Sequence, residues 1–348
     1  MIILIGRSAI LLLCLLSPIG SYSQPFTYQV DTINTTVNTL IVGLDAFDAQ
    51  NVWASGTNAT ILSSNDGGNS WSSFVFNATD SLQFRAIIAR SADEALVMSA
   101  GEGSQSQIFN FSKKTGWQLL YKMPFENGFL DAIEILPDGR GIAYGDAIDS
   151  SAFMLISDYK LENWKRITNT PKAIKGEGGF ASSGSNIAVD TAGNIWIGTG
   201  AGGAANVLLS QNNGKDWVKR NTPMVKGEAA GITSIRQLEN KIFITGGDLA
   251  NNNYTENLFV ADNAGKSWRK LPKPSTPGAF YGNAITEYNN QFVYLICGPS
   301  GADLLVEDSK KWVNISGSNL WTAEFIRPNQ ALIAGRNGLM IRLTLNSQ

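Results

Sequence analysis

The sequence predicts an all-β protein: a seven-bladed β-propeller of four-stranded antiparallel blades. Three observations predict it. Six tryptophans (Trp71, Trp117, Trp164, Trp217, Trp268 and Trp312) stand 46, 47, 53, 51 and 44 residues apart, and periods near 40–50 residues mark propellers and related arrays. Each period holds short apolar runs bounded by Gly, Asn and Asp, the pattern of strands joined by tight turns. The composition agrees: 35 glycines and 10% aromatic residues in a chain of 348 suit many short strands around a sizeable core.

Reading from the start, Arg7 precedes the apolar run Ser8 to Leu16, and Ser21 and Ser23 supply a small-x-small pattern before Gln24. This reads as a secretory signal peptide over residues 1–23, with the propeller occupying 24–348. The run is too short to span a bilayer comfortably, and no later stretch is long and apolar enough to do so. After cleavage one cysteine is left, Cys297 within an apolar run, which reads as a buried small hydrophobe and permits no internal disulfide.

Each period carries the same internal plan. A first tier of runs ("FRAIIA", "LDAIEIL", "GITSIRQL", "NAITEY") opens the unit as strand a. A second tier ends in small residues ("NVWASGT", "GIAYGDA", "NIWIGTG", "KIFITGGD") and forms strand b. A third ("ATILSS", "AFMLIS", "NVLLSQ", "NLFVAD") forms strand c, and strand d starts at each tryptophan. Polar turns link c to d. Before Trp71 stand Ser64, Asp66 and Gly68; before Trp217, at the same offsets, Ser210, Asn212 and Gly214; before Trp268, Ala261, Asn263 and Gly265. Asp and Asn side chains accept from backbone amides in such turns, and Gly supplies the positive φ. A tryptophan directly after so polar a turn is expected to pack back on the neighbouring blade, making the motif a structural clasp. The seventh unit, from Trp321 to Leu345, has only strands a, b and c. The N-terminal stretch "FTYQVDTINTTV" can supply the missing outer strand, closing the ring and removing an open sheet edge.

The S-x-D-x-G-x-S-W pattern over Ser64 to Trp71 resembles the Asp-box, or BNR, repeat of sialidases and other secreted propellers. The longer unit, with "FRAIIA", "YGDAIDSSAFMLISD" and "EGGFASSGSNIAVD", is similar to propellers of the photosystem II stability/assembly factor-like family. That resemblance implies a propeller with an assembly or binding role. The resemblance to sialidases is more distant: "FRAI" at Phe84 to Ile87 lacks their proline, and "FIRP" at Phe325 to Pro328 falls near the wrong end.

Function is then a matter of loops. In a propeller the b–c and d–a loops share one face, and there convergent loops make a concave site. Strand b ends offer Glu102, Asp146, Asp248 and Arg336; the d–a side adds Arg85, Asp131, Glu177, Tyr281 and Trp321. These nine are expected to ring the channel mouth as ligand- or partner-binding groups. The chain has no histidine, which removes Ser-His-Asp and Cys-His catalysis and every His-containing metal site. An oxygen-only metal site on Glu102, Asp146 and Asp248 lacks a dense acidic loop, so neither metal nor cofactor is expected. Net charge of −2 without basic runs argues against nucleic acid. Gly198 to Gly203 does not open a βαβ unit and reads as a bend, not a dinucleotide site. The expectation is an exported, monomeric, non-enzymatic binding or assembly-scaffold propeller engaging a protein segment or glycan. The rival is a carbohydrate-active enzyme using paired carboxylates, Asp146 and Asp248 being its candidates.

Overall fold

The computed structural model describes residues 26–77, 82–251 and 257–347. The expected signal peptide lies outside them. Seven four-stranded antiparallel sheets follow one another around a central axis. Their first strands (Ile41–Ala46, Gln83–Ala89, Leu130–Ile135, Ile187–Val189, Ala230–Leu238, Gly282–Tyr288 and Leu320–Arg327) contact one another in succession and line the channel. Strands b, c and d follow outward in chain order. Among the described residues the only helical pieces are two 3-10 turns, Gly103–Gln105 and Arg336–Gly338.

The seventh blade closes the ring as expected. Its strand d is the N-terminal strand Phe26–Ile33, which runs antiparallel to Met340–Ser347 from Phe26 opposite Ser347 to Ile33 opposite Met340. The pairing covers what would otherwise be the open edge of Met340–Ser347, which is the physical gain of closure.

The apolar core is divided into seven seams, one between each pair of adjacent blades. Each tryptophan belongs to the seam between its own blade and the preceding one. Trp71 joins Leu332 of blade 7, Trp117 joins Trp53 of blade 1, and Trp217 joins Tyr144 and Met154 of blade 3. Blade 7 has no such tryptophan. At the start of its strand d Phe26 takes the place, 1% exposed and edge-on to Tyr288 of blade 6 at 5.7 Å. Burial is uneven: Trp312 is 7% exposed, whereas the other five repeat tryptophans are half-buried.

The c–d turns explain how the tryptophans are aimed. Ser64 Oγ accepts from the Gly68 N–H (2.8 Å) and donates to Asp66 Oδ1 (2.8 Å), while Asp66 accepts from the Ser70 N–H (2.9 Å) and hydroxyl (2.6 Å). Ser210, Asn212, Gly214 and Asp216 repeat the arrangement, Asn212 Oδ1 accepting from the Asp216 N–H at 2.9 Å. Both turns then receive their tryptophan, whose Nε1 donates to the glycine carbonyl (3.2 Å at Gly68, 3.1 Å at Gly214). Ala261 cannot supply the serine oxygen, so the third turn keeps only the Asn263 bonds to Lys266 and Ser267, and Trp268 Nε1 is buried without a partner. Slight burial opposes ionisation of Asp66, but bonds from the Ser70 hydroxyl and amide and from Ser64 hold its pKa down to about 2.

Burial ranks the clasps. Trp312→Ala, which empties a packed ring site, is expected to cost about 3–5 kcal/mol in urea unfolding, and Trp71→Ala, half-buried, distinctly less; equal losses would show that seam burial does not set the contribution.

Candidate functional site

The start of strand a carries a local irregularity in five blades. The a–b ladder skips one residue between Ile41 and Gly43, Phe84 and Ala86, Leu130 and Ala132, Ile232 and Ser234, and Leu320 and Thr322. The extra residues are Val42, Arg85, Asp131, Thr233 and Trp321. A bulge frees one residue from the ladder and re-aims its side chain; here it governs three of the nine residues chosen from sequence. The pattern around each bulge is a buried apolar residue, the freed residue, then a small one. Strand b answers with glycine: a Cβ on Gly145 would stand 2.0 Å from the Phe129 carbonyl oxygen, and one on Gly335 2.2 Å from that of Asn319. The small residues that end the second tier of runs are thus the counterpart of the bulges.

Blade 4 exaggerates the same device. Its strand a pairs Gly178 with Gly200 and resumes with Ile187 opposite Ile197, so residues 179–186 leave the sheet. They cross the channel. The Ala181 carbonyl accepts from Arg85 Nη1 of blade 2 (3.4 Å), Ser182 Oγ donates to the Tyr281 carbonyl of blade 6 (3.4 Å), and the Ser183 carbonyl accepts from Thr322 of blade 7 (3.4 Å). Ser185 shares a hydrogen bond with Ser234 of blade 5 at 2.6 Å. Only small residues fit there: at Gly184, φ is +68° and a Cβ would stand 2.9 Å from the Arg85 carbonyl oxygen. The channel is therefore plugged.

This plug corrects the expected ring of binding groups. Asp131 and Glu177, placed at the rim from sequence, are each 2% exposed and anchor the plug instead. Asp131 Oδ2 accepts from the Gly179 N–H at 3.0 Å, where the excursion begins. Glu177 is held by Lys219 (2.9 Å), Thr199 (3.0 Å) and Asn206 (3.1 Å). Asp146 faces Asp131 rather than Asp248. Burial and the neighbouring carboxylate raise Asp131 well above its ordinary value, and burial raises Asp146 to about 6. Asp248 accepts from the Ala250 N–H of its own turn, and Arg336 is exposed in the b–c turn of blade 7. The carboxylate pair Asp146 and Asp248 is not assembled.

Three of the nine do come together. Arg85, Tyr281 and Trp321 line a cavity of about 420 Å³ at the channel mouth, floored by Phe180, Ala181 and Ser182 of the plug. The Arg85 guanidinium lies 5.7 Å from the centre of the Trp321 ring, and Tyr281 meets that ring edge-on at 4.6 Å. Arg85 makes no ion pair among the described residues, and burial lowers its pKa. An uncompensated guanidinium framed by aromatic rings is a recognition site for an anionic group. Glu102 is exposed in an adjoining cleft with Gln105, Met123 and Phe125.

Beneath the plug lies a second cavity, of about 170 Å³, whose charged lining sequence reading missed: Asp45, Glu134, Arg236 and Glu324. Arg236 donates to Glu324 at 3.0 Å, and the Ala89 N–H donates to Asp45 at 2.6 Å. Burial and the Asp45 charge raise Glu134 to about 8, and burial, only partly offset by Arg236, raises Glu324 to about 7. The signal was present. Each of the four stands four residues after the buried apolar residue that precedes the bulge of its strand a (Ile41, Leu130, Ile232, Leu320), a charge within an otherwise apolar run. No group of three or more Cys, Asp or Glu among the described residues is placed to hold a metal ion.

Comparison with solved structures shows the same fold. The chain superposes on "YCF48 bound to D1 peptide" with a TM-score of 0.64 at 15% identity, covering 92% of this chain and 97% of that one. It matches YCF48 from Cyanidioschyzon merolae with a TM-score of 0.58 at 16% identity, over 90% and 98%. It also matches a GH74 xyloglucanase from Xanthomonas campestris with a TM-score of 0.63 at 12% identity, over 90% of this chain but 53% of the enzyme. No family model and no curated protein matches the sequence.

The raised carboxyl groups give a signed pH dependence. From the ordinary value of 4.5 up to about 8, the unfolded chain ionises Glu134 while the folded chain keeps its proton, so folding stability falls through that window as pH rises. Urea midpoints at pH 5 and pH 8 test this: Glu134→Gln is expected to shrink the loss between them, and an unchanged loss would show that Glu134 ionises normally in the folded protein.

Proposed function

We propose that this chain is an exported, non-enzymatic propeller that binds a protein segment, in a docking or assembly-scaffold role, through the b–c/d–a face. The observation that carries the reading is the mouth cavity, in which Arg85, Trp321 and Tyr281 converge from blades 2, 7 and 6 on a floor closed by the plug. Such a site offers one positive group and aromatic surface but no pair of facing carboxylates, so it suits recognition better than hydrolysis. That one protein of the same fold has been solved with a peptide bound supports a protein segment over a glycan as the partner. Fold alone does not carry function; the cavity's chemistry does. Export rests on the leader-like residues 1–23, and the serine, aspartate and asparagine turns before Trp71 and Trp217 are read as Asp-boxes with a structural task.

Two measurements on the mature chain separate this reading from a carbohydrate-active one. Used as bait in an extract of exported proteins, the wild-type chain is expected to retain a partner. Tyr281→Ala, Trp321→Ala and Arg336→Ala together should release it while far-UV circular dichroism and a cooperative urea transition are retained. A screen of fluorogenic sialosides and other glycosides is expected to show no turnover; turnover abolished by Asp146→Asn or Asp248→Asn overturns the proposal.

A further inference from the structure

The mouth cavity does not end at blade 2. Gln105 lines it and also lines the neighbouring cleft of about 630 Å³, so the two adjoin across the b–c and d–a loops of that blade. Their charges are opposite. The inner end presents Arg85, without an acidic partner, against Trp321 and Tyr281. The outer end presents Glu102 and Glu126, both exposed and neither in an ion pair among the described residues, beside Met123, Pro124 and Phe125.

The walls are fixed before anything binds. The Gly103 N–H donates to the Gly128 carbonyl at 2.8 Å, the Met123 N–H to the Ser106 carbonyl at 3.0 Å, and the Leu130 N–H to Ser106 Oγ at 2.9 Å. These bonds tie the b–c turn to the d–a loop that faces it. At Gly103, φ is +54° and a Cβ would stand 2.9 Å from the Glu126 carbonyl oxygen, so the two walls are in backbone contact. A groove that needs no ordering loses less affinity to entropy when a chain settles in it.

We propose that this dipolar groove is the docking track for an extended segment of a partner protein bearing an acidic and a basic side chain. The acidic side chain seats on Arg85 at the channel mouth, and the basic one points toward Glu102 and Glu126. The proposal rests on the protein-segment reading above and specifies its chemistry. The plug determines which kind of carboxylate is taken. With Phe180 to Ser182 closing the floor, a chain cannot thread the channel, so the segment lies across the face and dips a side chain in. Opposite charges at the two ends also fix its direction along the groove, because the reversed segment would bring like charges together at both ends.

The test uses the mature chain and short fluorescein-labelled peptides, amidated at the C-terminus, carrying one glutamate and one lysine at varied spacing among apolar residues. Fluorescence anisotropy is expected to show binding for at least one spacing. Replacing the peptide's glutamate by glutamine, or Arg85 by glutamine (Arg85→Gln), should weaken it about 10-fold or more. Glu102→Gln with Glu126→Gln should weaken the lysine peptide and leave its norleucine counterpart unchanged; thermal melts confirm that the variants fold. No binding at any spacing, affinity indifferent to these changes, or preference for glutamate-free peptides with a free C-terminal carboxylate would overturn the groove. The broader reading has a separate readout. A partner still captured by the Arg85→Gln, Glu102→Gln, Glu126→Gln chain shows that the face binds protein but not along this track.

Discussion

Everything in this molecule depends on closing the ring, and the ring is closed by one eight-residue ladder between Phe26–Ile33 and Met340–Ser347. Joining segments so far apart in sequence has a chain-entropy cost, but one that grows only logarithmically, its length-dependent part about 5 kcal/mol for a loop of some 300 residues. Against it stand a full strand pairing and the burial of Phe26 in the seam between blades 6 and 7. Without the ladder, Met340–Ser347 becomes an exposed edge strand and blade 7 loses the aromatic residue that fills its seam. Phe26 in place of a tryptophan shows what each blade requires: a large ring at the start of strand d, leaning on the blade before.

The same ring architecture brings distant residues to one axis. Seven innermost strands meet there, and in five of them a bulge near the start frees one side chain from the ladder. Two of the freed residues, Arg85 and Trp321, line the mouth, so each can be exchanged without disturbing its blade's frame, whereas Asp131 anchors the plug. The framework residues are constrained by different physics. The preceding apolar residue is buried in the blade seam, and the glycine opposite leaves room for a carbonyl. Packing fixes the frame and leaves the freed residue to function.

That division explains how much could be read from the sequence. The blades, their number and the ring closure follow from tryptophan spacing and from apolar runs, because both report burial directly. Arg85, Tyr281 and Trp321 were reachable because each stands on the d–a side, at or next to the start of a strand a that the apolar runs reveal. Asp131 and Glu177 were misplaced because a carboxylate between a loop and a strand reads as a solvated rim group, whereas here both hold the start of an excursion that sequence shows only as "GGFASSGSN". Small, polar, glycine-rich residues suit a surface loop and a channel plug equally, and only the topology separates them. The acid-lined cavity was missed because its four charged residues are spread over some 280 positions, one per blade, and look like ordinary breaks in apolar runs.

The plug gives the two ends of the channel separate chemistry. Above it stands an unpaired guanidinium with aromatic rings; below it, three carboxyl groups share one arginine. An open channel would let water and ions equilibrate between them, and screening would blunt both fields. The segment from Gly179 to Asn186 fills that path with backbone, hydroxyl groups and one aromatic ring. Below the plug burial raises all three carboxyl groups, Glu134 to about 8 and Glu324 to about 7, and Arg236 offsets the charge they carry. Arg85 above therefore faces no strong negative field from the channel behind it, and its charge stays available to whatever approaches the mouth.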